Sequence, residues 1–185
     1  KADMPRIEGE LNISLAGISE GSNLAISGMY QEAQPTAAGK GGKEIEAKGI
    51  HVGGTLVGGP MALTAHYYNG ECLGITLQMD SGATSDDGIC RDHDGYYIQG
   101  TYNYCAGKIG VSWGGSYHDK AGNDGGKYDV KEKQEMYTLG IYHNAAPEWL
   151  WVAEYSHAEE DWYDKDAGDE KGESDIFSVG MFYLW

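Results

Sequence analysis

The feature of this sequence that most limits its fold is a period-two alternation of side chains over stretches of about ten residues. Because successive side chains of a β-strand point to opposite faces, each such stretch predicts a strand with two different faces. The alternation predicts nine strands, over about residues 7–17, 23–34, 44–57, 61–70, 95–105, 107–118, 134–144, 148–159 and 175–185.

Composition agrees with an all-β chain. Glycine occupies 29 of the 185 positions, and each glycine inside a helix costs about 1 kcal/mol relative to alanine. The glycines show no three-residue period, which excludes a collagen helix. No run approaches the 18 or so apolar residues of a transmembrane helix. The predicted fold class is therefore an antiparallel β-structure.

The connections between the predicted strands alternate in length. Short ones fall at 18–22, 58–60, 105–107 and 145–147, and long polar ones at 35–43, 71–94, 119–133 and 160–174. Tight turns at one end and long loops at the other are typical of outer-membrane barrels. The strand length also fits, because a membrane-spanning strand needs about 9–11 residues, whereas soluble strands average about five or six.

Glu154 indicates which face of its strand would meet lipid. A charge that faces hydrocarbon is costly, so Glu154 is predicted to point inward and the alternate positions outward. Tyrosine and tryptophan suit the headgroup level, and two aromatic girdles are predicted: Trp149, Tyr183 and Trp185 near the short turns, and Tyr67, Tyr96, Tyr117 and Tyr155 near the long loops. The alternative is a soluble sheet with one face packed on a core and the other solvated.

The last strand and several internal blocks resemble known membrane proteins. The C-terminal alternation ends on an aromatic residue and resembles the signal that bacterial outer-membrane barrels present to their assembly machinery: Phe177, Val179, Met181, Tyr183 and Trp185. The blocks at 59–70, 95–104, 108–114 and 152–156 resemble the Gram-negative general porins. The resemblance implies a water-filled pore, usually a homotrimer with about 16 strands per barrel, through which small hydrophilic solutes diffuse.

The strand count departs from that pattern. Nine strands are too few for a porin, and single-chain bacterial barrels have even strand numbers. We therefore interpret residues 1–185 as one outer-membrane barrel unit that is incomplete at its N-terminus, the C-terminal part of a 16-stranded porin. A miscounted strand would instead give a small barrel of eight or ten strands. The constriction residues of the family are expected in the missing half.

Polar residues on the predicted inward positions are candidates for the pore wall. They are His66, Tyr68, Gln99, Thr101, Asn103, Lys108, Ser112 and Glu154. Lys108 and Glu154 are the strongest candidates, because a charge on a spanning strand has to face water. The alternative for each residue is that it hydrates the wall without setting selectivity.

Charge is concentrated in two segments. Lys and Arg number 13 against 29 Asp and Glu, which excludes a sequence-independent grip on nucleic acid. Residues 159–175 hold nine acids and two lysines, and residues 80–94 hold five aspartates and one arginine. One interpretation is an electronegative vestibule, or carboxylates that Ca²⁺ or Mg²⁺ bridges loosely to lipopolysaccharide. The other is a pair of solvated loops.

The cysteines and the missing motifs limit the remaining chemistry. Cys72 and Cys90 lie within one long loop and could form a disulfide at the oxidising cell surface, while Cys105 is predicted to stay free. No C-x-x-C, H-E-x-x-H, G-x-S-x-G or phosphate-binding glycine motif occurs. No metal site, cofactor or enzymatic activity is therefore predicted.

Together these observations predict an outer-membrane porin that passes small hydrophilic solutes, mainly cations, by passive diffusion. Expected partners are membrane lipid, lipopolysaccharide, the assembly machinery and two further copies of the chain. The alternative is a binding protein, either a non-channel surface barrel or a secreted β-sandwich, that acts as an adhesin through its long acidic loops.

Overall fold

The computed structural model describes residues 5–33, 45–73, 83–85, 88–119, 121–122, 130–164 and 168–183. These residues form nine β-strands, the number that the alternation predicted. In chain order the strands are β1 (Ile7–Ser14), β2 (Asn23–Ala33), β3 (Ile45–Gly58), β4 (Met61–Glu71), β5 (Asp92–Tyr104), β6 (Gly107–His118), β7 (Val130–Ala146), β8 (Trp149–Asp164) and β9 (Gly168–Tyr183).

All nine strands lie in one sheet, and each pairs antiparallel with its neighbour in sequence. The predicted all-β antiparallel fold class is confirmed. Within the described residues the sheet is open, since no pairing joins β1 to β9. The β-sandwich alternative is wrong for this part of the chain, because a sandwich needs a second sheet packed on the first.

The hairpin of β3 and β4 shows how a short turn sets the register. Gly59 and Pro60 make the connection, and Gly59 has a φ of +58°, a left-handed conformation that glycine adopts without steric cost. Counting outward from this turn places His51 opposite Tyr68. The two-residue connections at 105–106 and 147–148 join β5 to β6 and β7 to β8 at the same end of the sheet.

The sheet has almost no core of its own. Among the described residues, Ala25 and Cys72 are the only buried apolar ones. In contrast, 31 large apolar side chains in the same ranges are exposed. Most of them lie on one face of the sheet, and an exposed apolar surface of this size marks an interaction with a partner or a membrane.

The strands at the long-loop end are longer than the sequence predicted. The predicted loop at 160–174 is wrong, because β8 continues to Asp164 and β9 begins at Gly168. Likewise β7 begins at Val130 and β5 at Asp92. Polarity alone indicated loops here, but a strand with water on both faces has no need of apolar residues. The strict alternation of short and long connections therefore fails at the last hairpin.

Candidate functional site

One face of the sheet collects the polar residues. The register places all eight wall candidates on it, joined by cross-strand pairs such as Gln99 with Ser112 and Asn103 with Lys108. The opposite face carries the aliphatic and aromatic residues. In β4 the outward residues Met61 and Leu63 are exposed, while the alternate residues Ala62 and Thr64 on the polar face are partly covered. This exposure pattern is the inverse of that in a soluble sheet with one face on a core.

The two charged wall candidates share a tyrosine. The Tyr142 hydroxyl donates a hydrogen bond to Glu154 Oε1, and Lys108 Nζ lies 5.0 Å from the centre of the Tyr142 ring. The positions lie on β6, β7 and β8, where Lys108 pairs with Tyr142 and Glu154 with Gly140. Tyr142 therefore links one base and one acid across three strands, and it belongs to the site although it was not among the predicted residues.

Short polar ladders line the rest of this face. Hydroxyl pairs join Thr55 to Thr64 at 2.9 Å, Thr138 to Ser156 at 2.9 Å and Tyr68 to Ser116 at 2.6 Å. Imidazoles extend the row on β3 and β4, where His51 Nε2 lies 2.8 Å from His66 Nδ1. Polar groups on this face thus bond to one another across the strands.

The outward face carries the two predicted aromatic groups at its ends. At the short-turn end the Trp149 and Tyr183 rings lie 5.0 Å apart. At the long-loop end Tyr96 meets Trp113 edge-on at 4.8 Å, and Trp113 stacks on Tyr137 at 5.6 Å. The aliphatic residues lie between these groups, which is the distribution that a lipid bilayer with two interfaces favours.

The Glu135 carboxylate lies on this outward face and is bound by three neighbouring side chains. Glu135 is 9% exposed. It accepts a hydrogen bond from the Tyr96 hydroxyl at 2.9 Å and another from Tyr117, and Lys133 Nζ lies 2.6 Å from it. Glu135 is next to Met136 and Tyr137, where the apolar band ends. Its three donors meet the requirement that a buried charge be paired and hydrogen-bonded.

The terminal alternation also lies outward. Phe177, Val179, Met181 and Tyr183 are 73%, 65%, 54% and 52% exposed, whereas Trp185 lies outside the described residues. These four side chains form a continuous apolar row on β9. Their exposure leaves them accessible to lipid or to a binding protein.

A disulfide ties the segment between β4 and β5 to the sheet. Cys72 and Cys90 are bonded, with Cα atoms 4.8 Å apart, and Cys72 N donates to the Arg91 carbonyl at 3.0 Å. Cys105 is free and exposed. At the start of β5, His93 is 1% exposed and its ring centroid lies 5.5 Å from that of His118.

His93 lies above the membrane-spanning part of β5, whose outward aromatic residues begin at Tyr96. Burial lowers the pKa of His93, and the nearby charge of Arg91 acts in the same direction. The carboxylates of Asp92 and Asp119 oppose that shift. The imidazole is therefore held neutral at the rim of the sheet.

The acidic extension of β8 and β9 is an ordered hairpin. His157 Nδ1 lies 2.8 Å from Asp175 Oδ1, and Trp162 Nε1 donates to Glu170 Oε2 at 3.1 Å. Among the residues with described positions, no group of three or more His, Cys, Asp or Glu side chains is arranged around a metal ion. In the same ranges, no helix is long and apolar enough to cross a membrane.

The residues that sequence reasoning missed are cross-strand partners. Tyr142 and His51 were on strands predicted from alternation, but neither was among the candidates. Counting from the short turns would have found them, because the turn at Gly59–Pro60 places His51 diagonal to His66, and the turn at 147–148 places Tyr142 diagonal to Glu154. The signal was the register, which alternation alone does not supply.

Comparison with known proteins agrees with this geometry. The family model described as Gram-negative porin matches residues 9–163. Among solved structures, the outer membrane channel DcaP of Acinetobacter baumannii matches with a TM-score of 0.77 at 13% identity, over 100% of this chain and 53% of that one. No curated protein matches significantly. The chain therefore belongs to the Gram-negative porin family, whose place is the bacterial outer membrane.

Proposed function

We propose that this chain forms the wall of a water-filled channel through which small hydrophilic solutes diffuse passively. The observation that carries the proposal is the division of one sheet into an exposed apolar face and a partly covered polar face. Lipid offers the backbone no hydrogen bonds, so spanning strands must satisfy one another. The polar face then lines water, and the apolar face meets hydrocarbon.

The chain spans about half the length of the DcaP channel that it matches. We propose that its nine strands are the C-terminal share of a larger barrel, with the constriction residues on the remaining strands. In support, the edges of β1 and β9 carry backbone groups that need partners inside a membrane. A barrel of about 16 strands leaves an aqueous channel along its axis.

Charge on the polar face supports a preference for cations. Among the side chains that the structure describes on these strands, the acids on this face are Glu8, Glu10, Glu154, Glu160 and Glu170, and the base is Lys108. A wall with one dominant sign of charge raises the local concentration of counter-ions. No chemistry on the solute is part of this proposal, so we expect no enzymatic activity.

The experiment is conductance of the full-length protein in a planar bilayer under a salt gradient. We expect stable open channels with a reversal potential that favours cations. Glu154→Gln should reduce that preference, Lys108→Gln should increase it, and Gln99→Asn serves as a matched neutral control on the same face. Absence of current would overturn the channel and favour a surface barrel that binds through its acidic hairpin.

The partners are proposals as well. We propose a homotrimer in which lipid covers the remaining apolar face, with lipopolysaccharide bridged by Ca²⁺ or Mg²⁺ at the acidic extension. We also propose that the row from Phe177 to Tyr183 is read by the assembly machinery. Light scattering in detergent measures the mass of the assembly, and a mass of one chain at all concentrations would contradict a trimer. The same measurement with EDTA tests whether Ca²⁺ or Mg²⁺ holds lipopolysaccharide on the protein.

A further inference from the structure

Two histidines on the polar face form a close pair. His51 on β3 and His66 on β4 are diagonal neighbours, since His51 pairs with Tyr68 and His66 with Gly53. Their rings stack with centroids 5.0 Å apart and planes inclined by 14°. His51 Nε2 and His66 Nδ1 are 2.8 Å apart. Both side chains are partly exposed, so water on this face reaches them.

The chain holds both rings in place. A Cβ at Gly53 would lie 2.0 Å from His66 Nδ1, so the ring of His66 occupies space that only a glycine leaves open. On the other side, the Ser27 hydroxyl lies 3.2 Å from His51 Nδ1. Such partners orient imidazoles and fix their tautomers, which is the role that outer-shell groups have around metal-binding histidines.

The separation of the two nitrogens suits chelation. Imidazole nitrogens bind such ions at about 2.0–2.1 Å, and two bonds near the right angle of a tetragonal Cu²⁺ or Ni²⁺ site place the nitrogens about 2.9 Å apart. The observed 2.8 Å is close to that value. At present the two nitrogens share a proton, so each ring has to turn within its site before both lone pairs point at one ion.

Metal binding in this way removes no proton from the two histidines. If His51 Nε2 carries the hydrogen, the proton moves to Nδ1, where the Ser27 hydroxyl accepts it. If His66 Nδ1 carries it, the proton moves to Nε2 on the same ring. In either case two neutral imidazoles each present one lone pair, which is the protonation state that a metal ion requires.

Two carboxylates lie on the His51 side of the pair. An open cavity of about 470 Å³ is lined by His51, Ser27 and Tyr68 together with Glu8 and Glu10, whereas His66 does not line it. Carboxylates beside an opening attract cations. Imidazole donors suit Zn²⁺, Cu²⁺ and Ni²⁺, whereas Ca²⁺ and Mg²⁺ prefer oxygen ligands.

We propose that His51 and His66 bind a divalent transition-metal ion, of the class of Cu²⁺, Ni²⁺ or Zn²⁺, on the wall of the channel. Water completes the coordination shell. The site rests on the proposed function only in that its rings face an aqueous interior. Metal binding is measured without any current, so its failure and the failure of the channel are distinguishable.

The experiment is a Cu²⁺ titration of the full-length protein in detergent, followed by electron paramagnetic resonance. We expect one saturable site whose spectrum shows coupling to two imidazole nitrogens. His51→Gln and His66→Gln should each abolish it. His143→Gln is the matched control, because His143 is exposed and bonds to Tyr104 at 3.1 Å on another part of the sheet. Circular dichroism confirms that each variant is folded.

Gly53→Ala separates the arrangement of the pair from its composition. This variant keeps both imidazoles but adds a carbon where the His66 ring lies, so we expect affinity to fall by about ten- to a hundredfold. Unchanged binding in His51→Gln and His66→Gln would overturn the proposal. So would loss of the signal in His93→Gln instead, since that result assigns the ion to the other histidine pair.

Discussion

Thr138 and Leu139 are neighbours in β7 and face two different environments. The Thr138 hydroxyl lies 2.9 Å from that of Ser156 on the polar face. Leu139 is 53% exposed on the other face, between Val111 and Tyr155. Neither residue enters a core. The solvent beyond each face, and not packing within the chain, therefore sets the residue types along these strands.

The strongest test of this difference is to place the same charge on each neighbour. Leu139→Arg would face the hydrocarbon centre, and we expect a loss of about 2–4 kcal/mol in the free energy of unfolding. Thr138→Arg places the charge beside water and should cost much less. Denaturant unfolding in lipid vesicles measures both. Equal losses would show that the faces do not meet different solvents.

The Glu135 carboxylate is charged although it lies on the outward face. Tyr117 donates a hydrogen bond to Glu135 there, so Tyr117→Phe leaves a buried carboxylate with one donor fewer. We expect a loss of about 1.5–3 kcal/mol, the range for hydrogen bonds to charged groups. Unfolding of the single and double variants measures it.

The control for that prediction is the same substitution in a Glu135→Leu background. With the carboxylate gone, Tyr117→Phe should cost only its packing, so the two effects should not add. Additive losses would mean that Tyr117 stabilises the sheet independently of Glu135.

The smallest effect is expected at the rim of the polar face, where His93 is the one fully covered imidazole of the described residues. An unfolded histidine titrates near pH 6.5, and the folded pKa of His93 lies lower. The unfolded state therefore binds more protons, so stability falls as the pH drops from about 6.5 through the folded pKa. His118, Arg91, Asp92 and Asp119 are the groups that surround it.

Hydrogen exchange of the amides around the disulfide reports this change. After correction for the intrinsic exchange rate, which itself falls with pH, we expect lower protection factors at Cys72 and Arg91 on acidification, because both amides are hydrogen-bonded in the segment next to His93. His93→Gln should remove the pH dependence, whereas His143→Gln should leave it intact. A pH dependence that survives His93→Gln would assign the effect to another group.

The sequence predicted which face each side chain lies on, because lipid favours apolar residues at outward positions and water favours polar residues at inward ones. Phe177 and Val179 alternate with Ser178, and Glu154 alternates with Trp151 and Tyr155, so the orientation of each strand follows from its own residues. The strand count and the antiparallel fold follow from the same pattern. A fold without a core is predictable from local alternation, since few long-range packing details decide it.

The same reasoning failed where both faces meet water. Glu170 and Glu173 lie in β9 although the polarity of their segment indicated a loop, because nothing in the sequence marks the height at which lipid ends. Cross-strand partners were also missed. His51 meets His66, and Lys108 meets Tyr142, through a register that depends on turn geometry and not on the alternation within either strand.

The consecutive strand order has a consequence for how the chain reaches its final state. Every pairing from β1 to β9 joins neighbours in sequence, so each new strand needs only the closure of one connecting segment. The entropic cost of such closures rises slowly with length, and local pairing favours fast folding. The sheet is therefore suited to grow one hairpin at a time, with each completed hairpin serving as the template for the next strand.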